Sequence, residues 1–376
     1  MLARRSLLLG AGGAAVAAAL PGVAHAAAPQ SGGPLPLPRP SGGLLVATRS
    51  LALVDHSRTD PFAPRSGPRE LMVQLWFPSA PTGTKEAEYV NPRTAQILET
   101  GWAAPAGSLA RVRTGATTGG RAPRLPTLIL LSHGRGSVRA LTTSLAIELA
   151  SHGHLVAAID HTYDSAVVSF PDGRLELGNL PANPDDWDAQ DRLEIGVRAA
   201  DLRFVADRLT ESHTLRPRIG VLGHSMGGPA AAEAMRQDRR FLAGLNLDGG
   251  LFGTTVPDVG LDRPYLLLSS APDHESWGRW RAAHHGWGRH LRLNGGGHLT
   301  ATDLPAYAEA IGLRQVWPVA EWQYAFGTLA PDRGAEITRA YAVAFFGRFL
   351  ARRPAPLLRA PSRRFPEIEF HWSRGN

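Results

Sequence analysis

The sequence predicts an α/β fold in which helices flank a mostly parallel central sheet. Short apolar runs, typical of buried strands, alternate with helix-like segments through the centre of the chain. Polar and glycine-rich clusters directly follow several of these runs, as expected at the carboxyl ends of parallel strands. The chain has 376 residues, 43% of them hydrophobic, which suffices for one large domain with a buried core.

The predicted fold begins with an antiparallel pair of strands. The segments 44–54 and 71–77 are apolar or alternate between apolar and polar residues, which is typical of strands. The segment 86–126 is rich in Gly, Pro, Thr and Ala and has little periodicity. It therefore predicts an excursion from the sheet, with one short helix around residues 94–100.

The central part predicts strands and helices in alternation. One helix is expected to bury a stripe on one face of a 3.6-residue repeat. That stripe consists of Leu193, Val197, Ala200, Phe204 and Val205. The other predicted elements are strands at 127–131, 154–160, 219–222, 242–247, 264–269 and 290–294 and helices at 140–150 and 335–350.

Ser225 lies in a Gly-x-Ser-x-Gly pattern, flanked by Gly223 and Gly227. The pattern alone is weak in a chain with 41 glycines, but here an apolar strand precedes it and an Ala-rich helix follows it. A strand–turn–helix of this kind is a nucleophile elbow, which exposes a serine hydroxyl at the end of a sheet strand. The context predicts an α/β-hydrolase fold with Ser225 as the nucleophile.

A serine hydroxyl needs a base to take its proton and an acid to orient that base. In α/β hydrolases the chain order is nucleophile, acid, histidine. His298 follows the last predicted parallel strand on a loop of three glycines, and it is the predicted base. Asp248 and Asp273 each follow a predicted strand between Ser225 and His298, so the residues alone leave the acid open.

The oxyanion of an acyl-transfer intermediate needs two hydrogen-bond donors. The first predicted donor is the backbone N–H of Met226, the residue after the nucleophile. The second comes from the loop 132–136, where the N–H of Arg135 is the preferred donor and that of Gly134 the next.

Composition argues against several other classes of protein. The net charge of +7 comes from dispersed arginines, whereas nucleic-acid binding needs a focused basic surface. The chain has no cysteine, so it can form neither a disulfide nor a thiolate metal site. It also has no His-Glu-x-x-His motif. We therefore expect no cofactor, no metal and no nucleic-acid partner.

The first 26 residues resemble an export signal. Paired arginines precede a mildly hydrophobic run and a small-residue exit, which is typical of twin-arginine signals. The sequence thus predicts a secreted protein with a signal at 1–26, a flexible linker at 27–43, a catalytic domain at 44–352 and a Pro/Arg-rich tail at 353–376. It leaves the oligomeric state open.

Several segments of the chain together point to a known family, namely 131–134, 150–158, 223–228, 247–249 and His298 with 302–304. In these segments the chain resembles the plasma-type (isoform II) platelet-activating factor acetylhydrolases and their bacterial relatives. The resemblance implies a calcium-independent serine esterase that removes a short or oxidised acyl chain from a phospholipid, with transient contact with a lipid surface. In that family the acid follows the strand directly after the elbow, which favours Asp248 over Asp273.

Two departures leave the substrate less well defined than the reaction. Met226 stands where the mammalian enzymes have an aromatic residue, and Arg135 replaces an apolar one. Bacterial cutinases and polyester hydrolases also contain Gly-His-Ser-Met-Gly, and in them the acid has the place of Asp273. A general carboxylesterase or lipase, a polyester hydrolase and a non-catalytic lipid-binding protein are the alternatives.

Overall fold

The computed structural model describes residues 32–79, 85–120, 122–211 and 216–375. The predicted export signal lies outside the described residues. Within them, no helix combines the length and the apolar character needed to cross a membrane.

The described residues contain one large mixed sheet of twelve strands and a separate two-stranded hairpin. The strands are β1 (Leu35–Pro36), β2 (Val46–Thr59), β3 (Pro68–Pro78), β4 (Glu86–Glu88), β5 (Val112–Thr118), β6 (Thr127–Ser132), β7 (Leu155–His161), β8 (Val167–Ser169), β9 (Leu175–Leu177), β10 (Arg218–His224), β11 (Phe241–Leu247), β12 (Tyr265–Ser269), β13 (Gly288–Leu293) and β14 (Ile368–Arg374). Their order across the sheet is β1-β5-β2-β3-β7-β6-β10-β11-β12-β13-β14; β4 pairs with β5, and β8 and β9 form the hairpin.

The centre of the sheet is parallel. Strands β7, β6, β10, β11, β12 and β13 run in one direction, while β3 and β14 pair antiparallel at its two ends. Gly223 pairs with Ser132 on one side and with Asn246 on the other, so β6, β10 and β11 end side by side. This register brings their following loops together at the carboxyl edge, where α/β folds bind ligands.

Helices cover both faces of the sheet. The helices are α1 (Pro92–Trp102), α2 (Thr143–Ser151), α3 (Trp187–Thr210), α4 (Gly227–Gln237), α5 (Val256–Val259), α6 (Glu275–Ala283), α7 (Leu313–Val316), α8 (Val319–Phe326) and α9 (Pro331–Phe349). Along β6, Ile129 and Leu131 join a core that contains residues of α2 and α9, while Leu128 and Leu130 join one that contains residues of α3, α4 and α6. Strands buried on both faces explain the continuous apolar runs in the sequence.

These elements confirm the predicted fold class. The first two predicted strands pair antiparallel, and the central strands and helices lie within a few residues of the predicted bounds. The helix expected around residues 94–100 is α1.

The predicted buried stripe of α3 is wrong in its N-terminal half, although Val205 is buried and Phe204 packs against the core. Leu193 is 44% exposed, whereas Glu194, Arg198 and Asp201 are buried on the face that meets the sheet. The physical reason is that these three charges form ion pairs with residues of other elements, which offsets the cost of removing them from water.

One further expectation about the elements is corrected. The excursion contains the strands β4 and β5 in addition to its helix. The inward positions of β5 are the small residues Val112, Thr114 and Ala116, so its alternation lacks the large apolar residues that mark a strand.

The predicted domain limits are too narrow at both ends. Beyond residue 352, β14 pairs with β13, and Leu358, Phe365 and Ile368 are buried in the core. Within the predicted linker, β1 pairs with β5 and Leu37 is buried. Both segments gain hydrogen-bond partners and apolar contacts from elements far away in the chain, which their Pro-rich and Arg-rich composition does not indicate.

Candidate active site

Ser225 lies in the sharp turn between β10 and α4. Its φ of 52° is in the left-handed region, which is strained for a non-glycine residue and is typical of a nucleophile elbow. Its N–H donates to the carbonyl oxygen of Leu247 at 2.9 Å, and its own carbonyl oxygen accepts from the N–H of Gly228 at 2.9 Å. These two bonds hold the strained turn in place.

The glycines of the motif are needed for close backbone approach. A Cβ atom built on Gly223 would lie 1.9 Å from the carbonyl oxygen of Gly227, and one built on Gly227 would lie 2.1 Å from that of Ser132. Any side chain at either position would therefore force the turn open. The Gly-x-Ser-x-Gly spacing thus has a steric cause at both ends.

His298 connects Ser225 to Asp248. Its Nε2 lies 3.0 Å from Oγ of Ser225, and its Nδ1 lies 2.7 Å from Oδ2 of Asp248. Asp248 is 7% and His298 is 6% exposed, while Ser225 is partly exposed. The three side chains come from three loops at the carboxyl edge of the sheet and form one hydrogen-bonded line.

Asp248 is held in an ionised, fixed position. It follows β11 with a φ of 57°, and its Oδ1 accepts from the N–H groups of Ser270 at 2.7 Å and Ala271 at 3.0 Å. Burial raises the pKa of this carboxyl, but the hydrogen bonds from His298 and from the two N–H groups outweigh burial and lower the pKa overall. The carboxylate can therefore accept a hydrogen bond from Nδ1–H, which leaves Nε2 as the acceptor.

Asp273, the alternative acid, lies elsewhere. Its carboxylate forms a two-pronged pair with the Arg281 guanidinium at 2.9 and 2.7 Å, and these bonds lower its pKa. Its oxygens lie close to nitrogens of His290 and His371. The Arg281 guanidinium also lies 2.8 Å from Nδ1 of His290, so it contacts both Asp273 and His290 and balances the negative charge of Asp273. The structure does not bring Asp273 to His298.

The loop after β6 lies against the nucleophile. A Cβ atom built on Gly134 would lie 3.3 Å from Cβ and 3.7 Å from Oγ of Ser225. In the described part of the chain, the N–H groups of Met226, Gly134 and Arg135 donate to no protein acceptor. These N–H groups are thus available to a ligand.

His224 is a site residue that the sequence reasoning missed. Its Nε2 donates to the carbonyl oxygen of His298 at 2.7 Å, so it ties the elbow to the histidine loop. Burial, together with the nearby His298, lowers its pKa to about 4, which keeps the ring neutral and free for this bond at neutral pH. The ring of Tyr324 on α8 stacks on the imidazole of His298, with 5.4 Å between the ring centroids.

Charged residues of α3 were also missed. The Arg135 side chain bonds to Glu194 at 2.6 Å and to Asp191 at 2.5 Å, and Arg198 bonds to Asp164. Burial and the charge of Asp164 raise the pKa of Glu194 to about 7, in spite of the pairing with Arg135. A sequence signal was available, because residues 194, 198 and 201 share one helix face.

The chain is similar to known proteins that cleave esters. Residues 70–175 match the family described as platelet-activating factor acetylhydrolase, isoform II. The chain is 30% identical to a probable 1-alkyl-2-acetylglycerophosphocholine esterase of Arthroderma benhamiae, over 89% of this chain and 93% of that protein. It is 31% identical to the dog platelet-activating factor acetylhydrolase, but over only 32% of this chain and 34% of the dog protein.

A solved structure is also similar. The ferulic acid esterase from Streptomyces cinnamoneus superposes with a TM-score of 0.82 and is 41% identical. The alignment covers 90% of this chain and 99% of that one. This alignment and the one with the Arthroderma protein each cover about nine tenths of the chain, and both lead to enzymes that cleave carboxylic esters.

Proposed function

Since the chain belongs to the platelet-activating factor acetylhydrolase family and is a carboxylic ester hydrolase, we propose that Ser225 is its nucleophile, His298 its general base and Asp248 the acid that orients the base. The observation that carries this proposal is the hydrogen-bonded line from Ser225 Oγ through His298 to Asp248. This line has the order and the atoms that a serine hydrolase needs.

In the acylation step, Nε2 of His298 takes the proton of the Ser225 hydroxyl while Oγ attacks the ester carbonyl carbon. The carbonyl oxygen becomes an oxyanion, which accepts hydrogen bonds from the N–H groups of Met226 and Arg135. Asp248 accepts a hydrogen bond from Nδ1–H and so stabilises the imidazolium, which keeps its Nδ1 proton. His298 then gives its Nε2 proton to the leaving alcohol, and an acyl-enzyme remains on Ser225.

Deacylation repeats these roles with water. His298 takes a proton from a water molecule, whose oxygen attacks the acyl carbon. The same two N–H groups stabilise the second oxyanion, and His298 returns the proton to Ser225 Oγ as the carboxylic acid leaves.

The proposed substrate is the short sn-2 acyl group of phospholipids that resemble platelet-activating factor. Family membership and the Arthroderma relative, whose name states this activity, support the assignment. The test is a profile of kcat/KM for the purified protein on an sn-2 acetyl phospholipid, a long-chain phosphatidylcholine, a triglyceride, a simple ester and a polyester. We expect the sn-2 acetyl phospholipid to be the preferred lipid. Equal or faster cleavage of the long-chain lipid would contradict this.

A second candidate substrate is a feruloyl ester. The ferulic acid esterase is the more similar of the two full-length relatives described above, at 41% identity. Adding methyl ferulate to the same profile separates the two candidates, because an enzyme adapted to an aromatic acyl group will prefer it to an acetyl ester of the same alcohol.

A lipid substrate needs a surface that meets the lipid phase. Val316 at the end of α7 is 50% exposed and Val319 at the start of α8 is 58% exposed. The half-buried Trp317 lies between them in the chain and the half-buried Trp322 follows them, and α8 also carries the Tyr324 ring that stacks on His298. We propose transient lipid contact here, because valine and indole side chains suit a half-wet boundary. Replacing both valines by serine should reduce sedimentation with phosphatidylcholine vesicles and leave hydrolysis of a soluble ester unchanged.

We also propose that residues 1–26 export the protein, most simply by the twin-arginine route. The paired Arg4 and Arg5 before a mildly hydrophobic run support this. Replacing both by lysine should prevent export of the folded protein, while the N-terminal sequence of the exported wild-type chain should start after residue 26.

A further inference from the structure

We propose that Arg198 is a positioning residue that orients the peptide N–H groups of Gly134 and Arg135 toward the acyl carbonyl oxygen. This inference rests on the proposed function, because it concerns the oxyanion loop of the same site. Arg198 lies on α3 and does not touch the nucleophile, so it acts through the backbone of the loop.

The first observation is how completely the guanidinium is fixed. Arg198 is 0% exposed, and it forms a two-pronged pair with Asp164: Nε lies 2.5 Å from Oδ2 and Nη2 lies 2.6 Å from Oδ1. Asp164 is itself fully buried, and its carbonyl oxygen accepts from the N–H of Gly136 at 3.1 Å. A planar guanidinium held on one edge in this way presents its remaining N–H groups in one fixed direction.

The second observation is what those remaining N–H groups contact. Nη1 donates to the carbonyl oxygen of His133, and Nη2 donates to that of Gly134 at 3.1 Å. Nη1 also lies 3.3 Å from Oγ of Ser132, and Nδ1 of His133 donates to the Gly134 carbonyl oxygen at 2.6 Å. One buried cation thus holds two consecutive carbonyl groups of the oxyanion loop.

Peptide geometry converts this contact into an orientation. The described residues contain no cis peptide bond, and in a trans peptide the carbonyl and the N–H point in opposite directions. The carbonyl of His133 shares its peptide with the N–H of Gly134, and the carbonyl of Gly134 shares its peptide with the N–H of Arg135. Because both carbonyls face Arg198, both N–H groups face away from it.

The oxyanion loop lies against Ser225, and two of its N–H groups are available to a ligand. Gly134 packs on Ser225, as the 3.3 Å separation from a Cβ built on Gly134 shows. Neither N–H donates to a protein acceptor among the described residues. A cation bound at the carbonyl end of a peptide also polarises it and strengthens the N–H as a donor. Arg198 therefore both aims the proposed oxyanion donors and strengthens them.

The experiment compares Arg198→Lys and Asp164→Asn with the matched control Arg69→Lys. Arg69 is equally buried and forms a two-pronged pair with Asp201, but its other bonds go to Asp60 and to the carbonyl oxygen of Thr162, outside the oxyanion loop. A lysine keeps the charge but cannot hold a carboxylate and two carbonyls at once. All three variants lose bonds of a buried ion pair, so all should lower Tm.

We expect the two test variants to lower kcat on p-nitrophenyl acetate by about 10- to 100-fold with little change in KM, because misaligned oxyanion donors weaken only the transition state. Their affinity for a boronic acid, which forms a tetrahedral anion on the serine, should fall by a similar factor. Arg69→Lys should keep kcat and the affinity for the boronic acid near wild type. For every variant, kcat is calculated per active site, and the active sites are counted by fluorophosphonate labelling.

Each outcome decides the matter. If Arg198→Lys folds with wild-type kcat, or if Arg69→Lys lowers kcat equally, Arg198 has no positioning role. If Arg198→Lys fails to fold, Asp164→Asn decides, since it leaves the guanidinium in place and removes only its anchor; unchanged kcat there overturns the proposal. Loss of the proposed function gives a different result, because Ser225→Ala would then keep the wild-type rate whatever Arg198 does.

Discussion

Nδ1 of His298 lies 2.7 Å from Oδ2 of Asp248, although the two residues follow different strands and are 50 positions apart in the chain. Two backbone N–H groups hold the other oxygen of the carboxylate, and Asp273 pairs with Arg281 instead. The choice between two aspartates, which the residues alone leave open, is thus a matter of which carboxylate the fold brings to the imidazole.

The two aspartates should respond differently to the same substitution. Asp248→Asn keeps the shape but leaves Nδ1 of His298 without an anionic acceptor, so we expect kcat to fall by about 10³- to 10⁴-fold. Asp273→Asn breaks a partly exposed pair with Arg281, and kcat should change little. Steady-state kinetics on p-nitrophenyl acetate measure both. A large loss in Asp273→Asn with none in Asp248→Asn would contradict the assignment.

Ser225→Ala removes the proposed nucleophile without adding atoms to the turn. We expect ester hydrolysis and labelling by a fluorophosphonate to disappear, while the circular dichroism spectrum and Tm stay close to wild type. His298→Gln should also abolish hydrolysis, since it removes the base. Turnover by Ser225→Ala near the wild-type rate would rule out Ser225 as the nucleophile.

Gly223→Ala should unfold the elbow. Its new Cβ would lie 1.9 Å from the carbonyl oxygen of Gly227, so the turn must open, and we expect a loss of roughly 3 kcal/mol or more of unfolding free energy. Gly196 is the matched control, because it is exposed on α3 with no atom within 4 Å of a built Cβ. Gly196→Ala should stabilise the protein by about 0.5–1 kcal/mol. Urea unfolding measures both, and equal stability of the two variants would refute the steric argument.

Stability should fall with rising pH because of Asp303. Burial raises the pKa of this carboxyl from 3.8 to about 7, although Ser144 and Tyr89 donate hydrogen bonds to it. The folded state therefore binds a proton that the unfolded state has lost, so stability is highest below pH 4 for this group and decreases as pH rises to about 7. The effect is on the order of 2–4 kcal/mol.

Asp303→Asn is the test of that pH dependence. The amide oxygen can accept from Ser144 N–H, which lies 3.1 Å from Oδ1 of Asp303, as before. The variant should lose less Tm than wild type between pH 5 and pH 8. An unchanged difference in Tm between these two pH values would show that Asp303 does not titrate there.

The chain beyond residue 352 should be essential for folding. A chain that ends at residue 352 lacks β14 and the buried residues Leu358, Phe365 and Ile368. Each such side chain contributes about 1.5–3 kcal/mol when buried, so the loss exceeds what a domain of marginal stability can tolerate. We expect insoluble protein, whereas removal of residue 376 alone should have little effect. Cooperative unfolding of the shorter chain would show that the segment is dispensable.

The sequence by itself determined the fold class, the elbow and the histidine. These features depend on local patterns: buried strands give apolar runs, a tight turn requires Gly223 and Gly227 at fixed spacing, and His298 follows the last parallel strand. The resemblance of the sequence to a known family also favours Asp248 over Asp273 as the acid.

Only the tertiary structure decided which residues meet. The contact of Asp248 with His298 depends on the pairing of β11, β12 and β13, and the buried face of α3 depends on partners for Glu194 and Arg198 that lie elsewhere in the chain. A charged residue in a sequence indicates an exposed position, because burial of an unpaired charge is costly. Arg198 is buried nevertheless, because it pairs with Asp164 and with the carbonyl groups of the oxyanion loop. Such long-range pairing leaves no local pattern in the sequence.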